Sequence, residues 1–122
     1  MQHFISYADY EKCYAVLDPK RKWKQVLEAM QSVSALEGTT GWSKHPNVKR
    51  WAGYVDSLKD YYNVGLRAVL ADGIRTKLLP YEIPNNPIKP PWVLDEATHW
   101  FYRMVLIAKK PEWYEPIFKK GI

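Results

Sequence analysis

The amino-acid sequence predicts an all-α fold, a single compact domain over residues 1–122 with about three main helices, an extended N-terminal arm and a proline-rich loop. Three long stretches repeat apolar residues every three or four positions, as one face of a helix requires. No segment alternates apolar and polar residues over a useful length, so no strand is expected. The chain is long enough to bury about two-thirds of its unfolded surface in one core.

The N-terminal third is predicted to contain an arm and two helices. Residues 1–7 should form a short extended arm, and residues 9–17 a short helix. A second helix should run from Asp18 to about Leu36. The Asp18 carboxylate can accept hydrogen bonds from the N–H groups of the first turn, and Pro19 suits the first helical position, where no N–H is needed. The apolar stripe of this helix comprises Trp23, Val26, Leu27, Met30 and Val33.

The middle of the chain is predicted to form the longest helix. A loop rich in Gly and Thr, residues 38–41, precedes it. Pro46 favours a helix start just beyond itself and keeps His45 extended. The apolar pattern then continues to Gly73 over up to about 25 residues, with Gly53 as the candidate break.

The last third is predicted to contain a loop and the third main helix. Residues 76–91 include five prolines and should form a long non-helical loop. The helix should run from about Leu94 to Lys109 and end at Pro111. Its buried face is predicted to comprise Leu94, Ala97, Thr98, Phe101, Val105 and Ala108. A different face should carry Glu96, His99 and Arg103.

The helix that begins at Asp18 has a distinctive charge pattern. Its first two turns hold four cations, although a helix N-terminus already carries a partial positive charge. One carboxylate, Glu28, follows one turn after the last cation. The net charge of +5 and the pI near 9.3 agree with this local excess. The pattern indicates an anionic partner such as nucleic acid. The residues off the apolar stripe are Lys20, Arg21, Lys24, Gln25, Glu28 and Gln31.

The remaining composition argues against several classes of protein. The single cysteine, Cys13, allows no internal disulfide and indicates a reducing compartment. We expect no signal peptide, and no stretch reaches the roughly 18 apolar residues of a membrane span. The three histidines and one cysteine lack the paired spacing of a metal site, and there is no glycine-rich phosphate loop. We therefore expect neither a metal nor a cofactor.

Five short motifs follow one another along the chain. They are Leu17-Asp18 with Glu28, Lys44-His45-Pro46, Leu70-Ala71-Asp72-Gly73, Asp95 to Arg103, and Lys110-Pro111-Glu112-Trp113-Tyr114. Together they resemble the phage-type endonuclease V family of pyrimidine-dimer DNA glycosylases, and more closely its short bacterial and viral relatives. The resemblance covers most of the chain except the proline-rich loop.

The resemblance implies a compact helical fold with the N-terminus laid between helices. It also implies an enzyme that bends duplex DNA and extrudes a nucleotide. Such an enzyme cleaves the N-glycosidic bond through an imine to its own α-amino group and then eliminates the 3′ phosphate. The assisting carboxylate would be Glu28. An α-amine with a pKa of about 8 is partly neutral, and hence nucleophilic, at pH 7.

Two positions depart from the family pattern. The family has a small second residue, exposed when the initiator methionine is removed, whereas this chain has Gln2. The amine then belongs to Met1, or Lys24 replaces it, or the imine chemistry is lost. Leu27 stands where the family has an arginine, so a damaged or modified base other than a dimer is an open alternative. The candidate catalytic residues are Glu28, Met1, Gln2, Lys24 and His45.

The leading hypothesis is a DNA glycosylase or glycosylase/AP lyase for a damaged or modified pyrimidine in duplex DNA. We expect a monomer in the cytoplasm, either with the nucleoid or in a phage-infected host. The alternatives are a non-catalytic DNA-binding module of the same fold and a small helical protein-interaction domain. The candidate DNA contacts are Lys20, Arg21, Lys22, Lys24, Lys44, His45, Lys49, Arg50, His99 and Arg103.

Overall fold

The computed structural model describes residues 2–38 and 44–119. Within these ranges the chain forms six α-helices and no strand, which confirms the predicted all-α class. A 3₁₀ turn, Pro91–Leu94, precedes the fifth helix. Met1 and the predicted loop residues 39–41 lie outside the described residues. The helices are α1 Tyr10–Ala15, α2 Pro19–Leu36, α3 Pro46–Lys49, α4 Val55–Ala71, α5 Glu96–Lys109 and α6 Pro111–Lys119.

Helices α2 and α4 face each other at the centre of the core. Val26 and Val33 of α2 and Leu58 of α4 are fully buried in one apolar cluster. The predicted break in the longest helix is confirmed, because α3 and α4 are separate helices on either side of Gly53. The φ of Gly53 is +81°, a value that a glycine adopts without steric cost.

The N-terminal arm is buried beside α2. His3, Phe4 and Ile5 are 1%, 6% and 0% exposed. Nε2 of His3 lies 3.1 Å from Oγ of Ser32, and the Trp51 indole donates to Nδ1 of His3 at 3.3 Å. The arm is therefore fixed by polar contacts as well as by burial.

Asp18 precedes α2 as predicted, but its side chain does not cap the helix. The carboxylate instead accepts hydrogen bonds from the Tyr114 hydroxyl and from the Arg21 guanidinium, the latter at 3.1 Å. The Tyr114 hydroxyl also accepts the N–H of Asp18 at 3.0 Å. These contacts outcompete the local cap because they satisfy both the backbone and the side chain of one buried residue. The start of α2 is thus attached to α6.

Helix α5 buries a different face from the predicted one. Leu94, Phe101 and Met104 are more than half exposed, whereas Tyr102 and Leu106 are buried. The reason is that α5 has two apolar stripes, and tertiary partners choose between them. Arg50 donates to the Tyr102 hydroxyl at 2.6 Å and so selects the Tyr102 face.

The C-terminal segment forms a helix that the apolar pattern did not predict. Pro111 ends α5 as expected, and it also begins α6, where its missing N–H has no cost. Residues 74–90 contain no helix, which agrees with the predicted loop. The Asn63 side chain binds both backbone groups of Tyr81 in this loop, at 2.8 and 2.9 Å. The loop is therefore attached to α4.

Candidate active site between the N-terminal arm and helix α2

An open cleft of about 660 Å³ lies where the N-terminal arm crosses α2. Residues three or four positions apart on a helix point to the same side. Arg21, Lys24 and Glu28 follow this spacing, so the cations and the carboxylate of the sequence pattern meet in one cleft. The residues that α2 contributes are Lys20, Arg21, Lys24, Gln25 and Glu28.

The opposite wall of the cleft comes from the junction of α5 and α6. Lys109, Lys110 and Glu112 line it, and the sequence reasoning had not predicted them as site residues. Only the fold brings them to α2, since they are about 80 positions away in the chain. The cleft therefore presents basic side chains from two distant parts of the chain, together with the carboxylates of Asp18, Glu28 and Glu112. Such a surface attracts a polyanion and places carboxylates that can transfer protons next to it.

Gln25 connects the arm to Glu28. Its Nε2 lies 2.7 Å from the carbonyl oxygen of Gln2 and 3.3 Å from Oε2 of Glu28. Its Oε1 accepts the N–H of Phe4 at 3.1 Å and the hydroxyl of Tyr61. The side chain is buried, with 1% of its surface exposed. The sequence pattern had missed this role because glutamine lies off the apolar stripe and most of its partners are remote in the chain.

His3 fixes the arm to the same part of α2. The Trp51 indole can only donate, so Nδ1 of His3 accepts and Nε2 carries the proton. This Nε2–H faces Oγ of Ser32, and the Ser32 hydroxyl donates to the Glu28 carbonyl oxygen at 2.8 Å. Burial lowers the pKa of His3 to about 3, so its ring is neutral at pH 7. The arm is held by uncharged contacts on both sides of Glu28.

Seven predicted site residues in the described part of the chain lie outside the lining of this cleft: Lys22, Lys44, His45, Lys49, Arg50, His99 and Arg103. Lys22 forms an ion pair with Asp72 of the α4 C-terminus, at 2.8 Å. His45 caps α3, because its Nδ1 accepts the N–H of Asn47 at 3.2 Å. The role of His45 in the turn before Pro46 therefore has a structural explanation. Met1, another predicted site residue, lies outside the described residues.

The basic residues in α3 and on either side of it divide into two kinds. Lys44 and Lys49 are exposed. The Arg50 guanidinium stacks over the Trp92 ring, 3.7 Å from its centroid, and donates to the Tyr102 hydroxyl. Arg50 is therefore occupied by packing, whereas the two lysines face solvent.

His99 and Arg103 also make internal contacts. His99 is 4% exposed, and its Nε2 lies 2.6 Å from the carbonyl oxygen of Val93. Arg103 donates to the carbonyl oxygen of Ser6 at 2.9 Å and lies over the Trp100 ring. The structure brings neither residue to the cleft, and both hold α5 to neighbouring segments.

Within residues 2–38 and 44–119 no group of three potential ligands is arranged to hold a metal ion. Across the same ranges, the helices are too short or too polar to cross a membrane.

Comparison with known families matches residues 1–71 to a family model described as pyrimidine dimer DNA glycosylase. The matched segment is more than half of the chain and includes the arm, α2 and Glu28. No curated protein and no solved structure matches the chain at a significant level. The wall formed by Lys109, Lys110 and Glu112 lies beyond the matched segment.

Proposed function

Because the chain belongs to the pyrimidine dimer DNA glycosylase family, we propose that it is a glycosylase or glycosylase/AP lyase acting on a damaged or modified pyrimidine in duplex DNA. The observation that carries this proposal is the position of Glu28 in a basic cleft, beside an arm that is fixed at Gln2. We propose that the enzyme works as a monomer on its DNA substrate. It uses an amine and a carboxylate of its own and no cofactor.

The proposed nucleophile is an amine that reaches the cleft. Met1, which carries the α-amino group, directly precedes Gln2 in the chain, and the Gln2 carbonyl oxygen shares the Gln25 amide with Glu28. Lys24 lines the same cleft and is the alternative amine. Chemistry favours the α-amine, because its ordinary pKa of about 8 leaves more of it neutral than a lysine with a pKa of about 10.4.

In the proposed reaction the amine attacks C1′ of an extruded nucleotide. The C1′–N bond to the base breaks as the new C–N bond forms, and the departing base takes a proton. Glu28 accepts the proton that the amine loses and stabilises the positive charge that develops on the sugar. Opening of the sugar gives an imine, from which loss of a C2′ proton eliminates the 3′ phosphate. Water then hydrolyses the imine, which regenerates the amine and releases the enzyme.

The proposed DNA contacts are the exposed basic groups near the cleft. Phosphate contacts dominate the affinity of such proteins, and each one makes binding more sensitive to salt. We leave out Arg21, Lys22, Arg50, His99 and Arg103, because each of them is engaged within the protein. The contacts proposed are Lys20, Lys24, Lys44, Lys49, Lys109 and Lys110.

Borohydride trapping tests the proposal. The protein is incubated with duplexes that contain an abasic site, a pyrimidine dimer or a modified pyrimidine, and borohydride then reduces any imine to a stable adduct. Peptide mapping of the adduct distinguishes the α-amine of Met1 from the side chain of Lys24. We expect Glu28→Gln to lower cleavage by about 10²- to 10⁴-fold while duplex binding is retained. Glu11→Gln, at an exposed acid of α1, is the matched control.

A non-catalytic DNA-binding module is the second candidate, and Gln2 and Leu27 are the observations that favour it. This candidate predicts salt-sensitive binding of duplex DNA without base release or strand cleavage on any of these substrates. If the protein binds duplex DNA but gives neither an adduct nor cleavage, the result rejects the enzyme hypothesis in favour of the DNA-binding module. Absence of duplex binding even at low salt would favour the protein-interaction domain.

A further inference from the structure

We propose that Gln25 is a positioning residue that sets the N-terminal arm and Glu28 in one fixed arrangement. Its side-chain amide has four polar partners: the carbonyl of Gln2, the carboxylate of Glu28, the N–H of Phe4 and the hydroxyl of Tyr61. This inference rests on the proposed function for its catalytic consequence, whereas the contacts of the arm do not depend on it.

The four contacts permit one orientation of the amide. The Phe4 N–H is a donor and the Gln2 carbonyl is an acceptor, so Oε1 must face Phe4 and Nε2 must face Gln2. Rotation of the amide by half a turn would oppose donor to donor and acceptor to acceptor. Burial makes each such mismatch costly, because water cannot replace the lost partner. The arm therefore fixes the orientation of the Gln25 amide, and the amide in turn fixes the arm.

This orientation has a direct consequence for the reacting groups. Gln25 binds the carbonyl oxygen of Gln2, in the peptide between Gln2 and His3, and the second acceptor of the same NH₂ group is Glu28. One side chain therefore defines how far the start of the arm lies from the carboxylate. The Tyr61 hydroxyl, from α4, prevents the amide from moving away from the arm. Displacements of about 1 Å in such an arrangement cost roughly 10²-fold in rate.

The charged surroundings of Gln25 come from all the elements that meet at the cleft. Tyr61 approaches from α4, and burial raises its pKa well above the ordinary value, so its hydroxyl keeps its proton. His3 on the arm is neutral at pH 7. The charged groups that line the cleft are Asp18, Lys20, Arg21, Lys24, Glu28, Lys109, Lys110 and Glu112.

Gln25→Glu keeps the size of the side chain and its accepting oxygen, but it replaces the NH₂ donor by a second accepting oxygen. One carboxylate oxygen still accepts from Phe4 and Tyr61, whereas the other faces the Gln2 carbonyl and the Glu28 carboxylate and repels both. On an abasic-site duplex we expect kcat to fall about 10²-fold at pH 7.5 with little change in KM. Relative to the wild type at the same pH, we expect kcat to recover partially toward pH 5.5, because a protonated Glu at position 25 donates as the amide does.

Gln31→Glu is the matched control, since Gln31 is an exposed glutamine of the same helix. It adds the same charge and should leave both kcat and the pH profile within about twofold of the wild type. Hydrogen exchange of the amides of residues 2–6 gives a readout that does not depend on activity. Exchange there should accelerate in Gln25→Glu and stay unchanged in the control.

Gln25→Met provides a second variant, uncharged and of similar length, in case the charged one does not fold. It should lose rate and arm protection without any acid recovery. Wild-type kcat, pH profile and arm exchange in either folded variant would overturn the inference. If the wild type itself forms no imine adduct, the proposed function fails, and exchange in the arm still decides whether Gln25 fixes it.

Discussion

Trp51 donates its indole N–H to Nδ1 of His3 across 3.3 Å, and this contact is compatible only with a neutral histidine. A proton on Nδ1 would face another donor in a site from which water is excluded. Burial lowers the pKa of His3 to about 3 from its ordinary value of 6.5. The docked arm and the neutral ring therefore require each other.

Acid should release the arm. Between pH 3 and pH 6.5 the released state binds a proton that the docked state does not, so docking is fully favourable above pH 6.5 and weakens as the pH falls. At pH 5 the loss amounts to about 2 kcal/mol. Hydrogen exchange of residues 2–6 at pH 7.5 and pH 5 measures it, when each rate is expressed as a protection factor relative to the intrinsic rate at that pH. In His3→Gln this dependence on pH should disappear, although docking is weaker at every pH.

His45→Gln is the control for this prediction, because it changes a histidine that caps α3 and leaves the histidine of the arm intact. In His45→Gln the N-terminal arm should respond to acid as it does in the wild type. A wild-type arm whose protection factors are the same at both pH values would contradict the prediction.

Lys24 and Lys22 should differ in their effect on DNA binding. Lys24 is exposed and lines the cleft, whereas Lys22 is paired with Asp72. We expect Lys24→Gln to reduce the slope of log K against log salt concentration by about 1 on an undamaged duplex. Lys22→Gln should leave the slope unchanged and cost about 1 kcal/mol of stability or less. Titrations of each variant with duplex DNA at several salt concentrations measure these slopes. Equal slopes for the two variants would show that the DNA does not contact Lys24 in the cleft.

Gly65→Ala should destabilise the protein, although alanine is the better helix former. A Cβ at this position of α4 would collide with the Tyr14 ring of α1. That ring is fully buried and packs against Tyr61, with 4.8 Å between the ring centroids, so it cannot withdraw. We expect a loss of about 1–3 kcal/mol in the free energy of unfolding, measured by denaturant titration.

The double variant Gly65→Ala with Tyr14→Leu tests the cause. If the collision is responsible, the smaller side chain removes it, and the double variant loses less stability than the sum of the two single variants. Additive losses would show that the ring is not the source of the cost.

Local signals in the sequence were sufficient for several elements. The start of α2 is correct because Pro19 at a first helical position and the apolar stripe that follows are features of neighbouring residues. The break at Gly53 is correct for the same reason, since glycine tolerates a positive φ wherever it occurs. Glu28 and the cations before it were visible as a charge pattern on one helix, and the structure places most of them in one cleft.

Contacts between distant residues decided what the sequence could not. The face of α5 depends on Arg50, which is 52 positions away from its partner Tyr102. The role of Gln25 depends on Gln2 and Tyr61, and no periodicity in α2 refers to either of them. Lys109 and Lys110 could not be predicted as cleft residues for the same reason, because only folding brings the end of α5 to the cleft that α2 lines.

The hydrogen bonds between Asp18 and Tyr114 join residues 96 positions apart. A ribosome adds about 5–20 residues per second, so α2 emerges seconds before the tyrosine that holds its first turn. Contacts of such long sequence separation also form late in folding. The growing chain thus acquires its basic helix and Glu28 early, and the contact that fixes the start of this helix forms only after α6 has been synthesised.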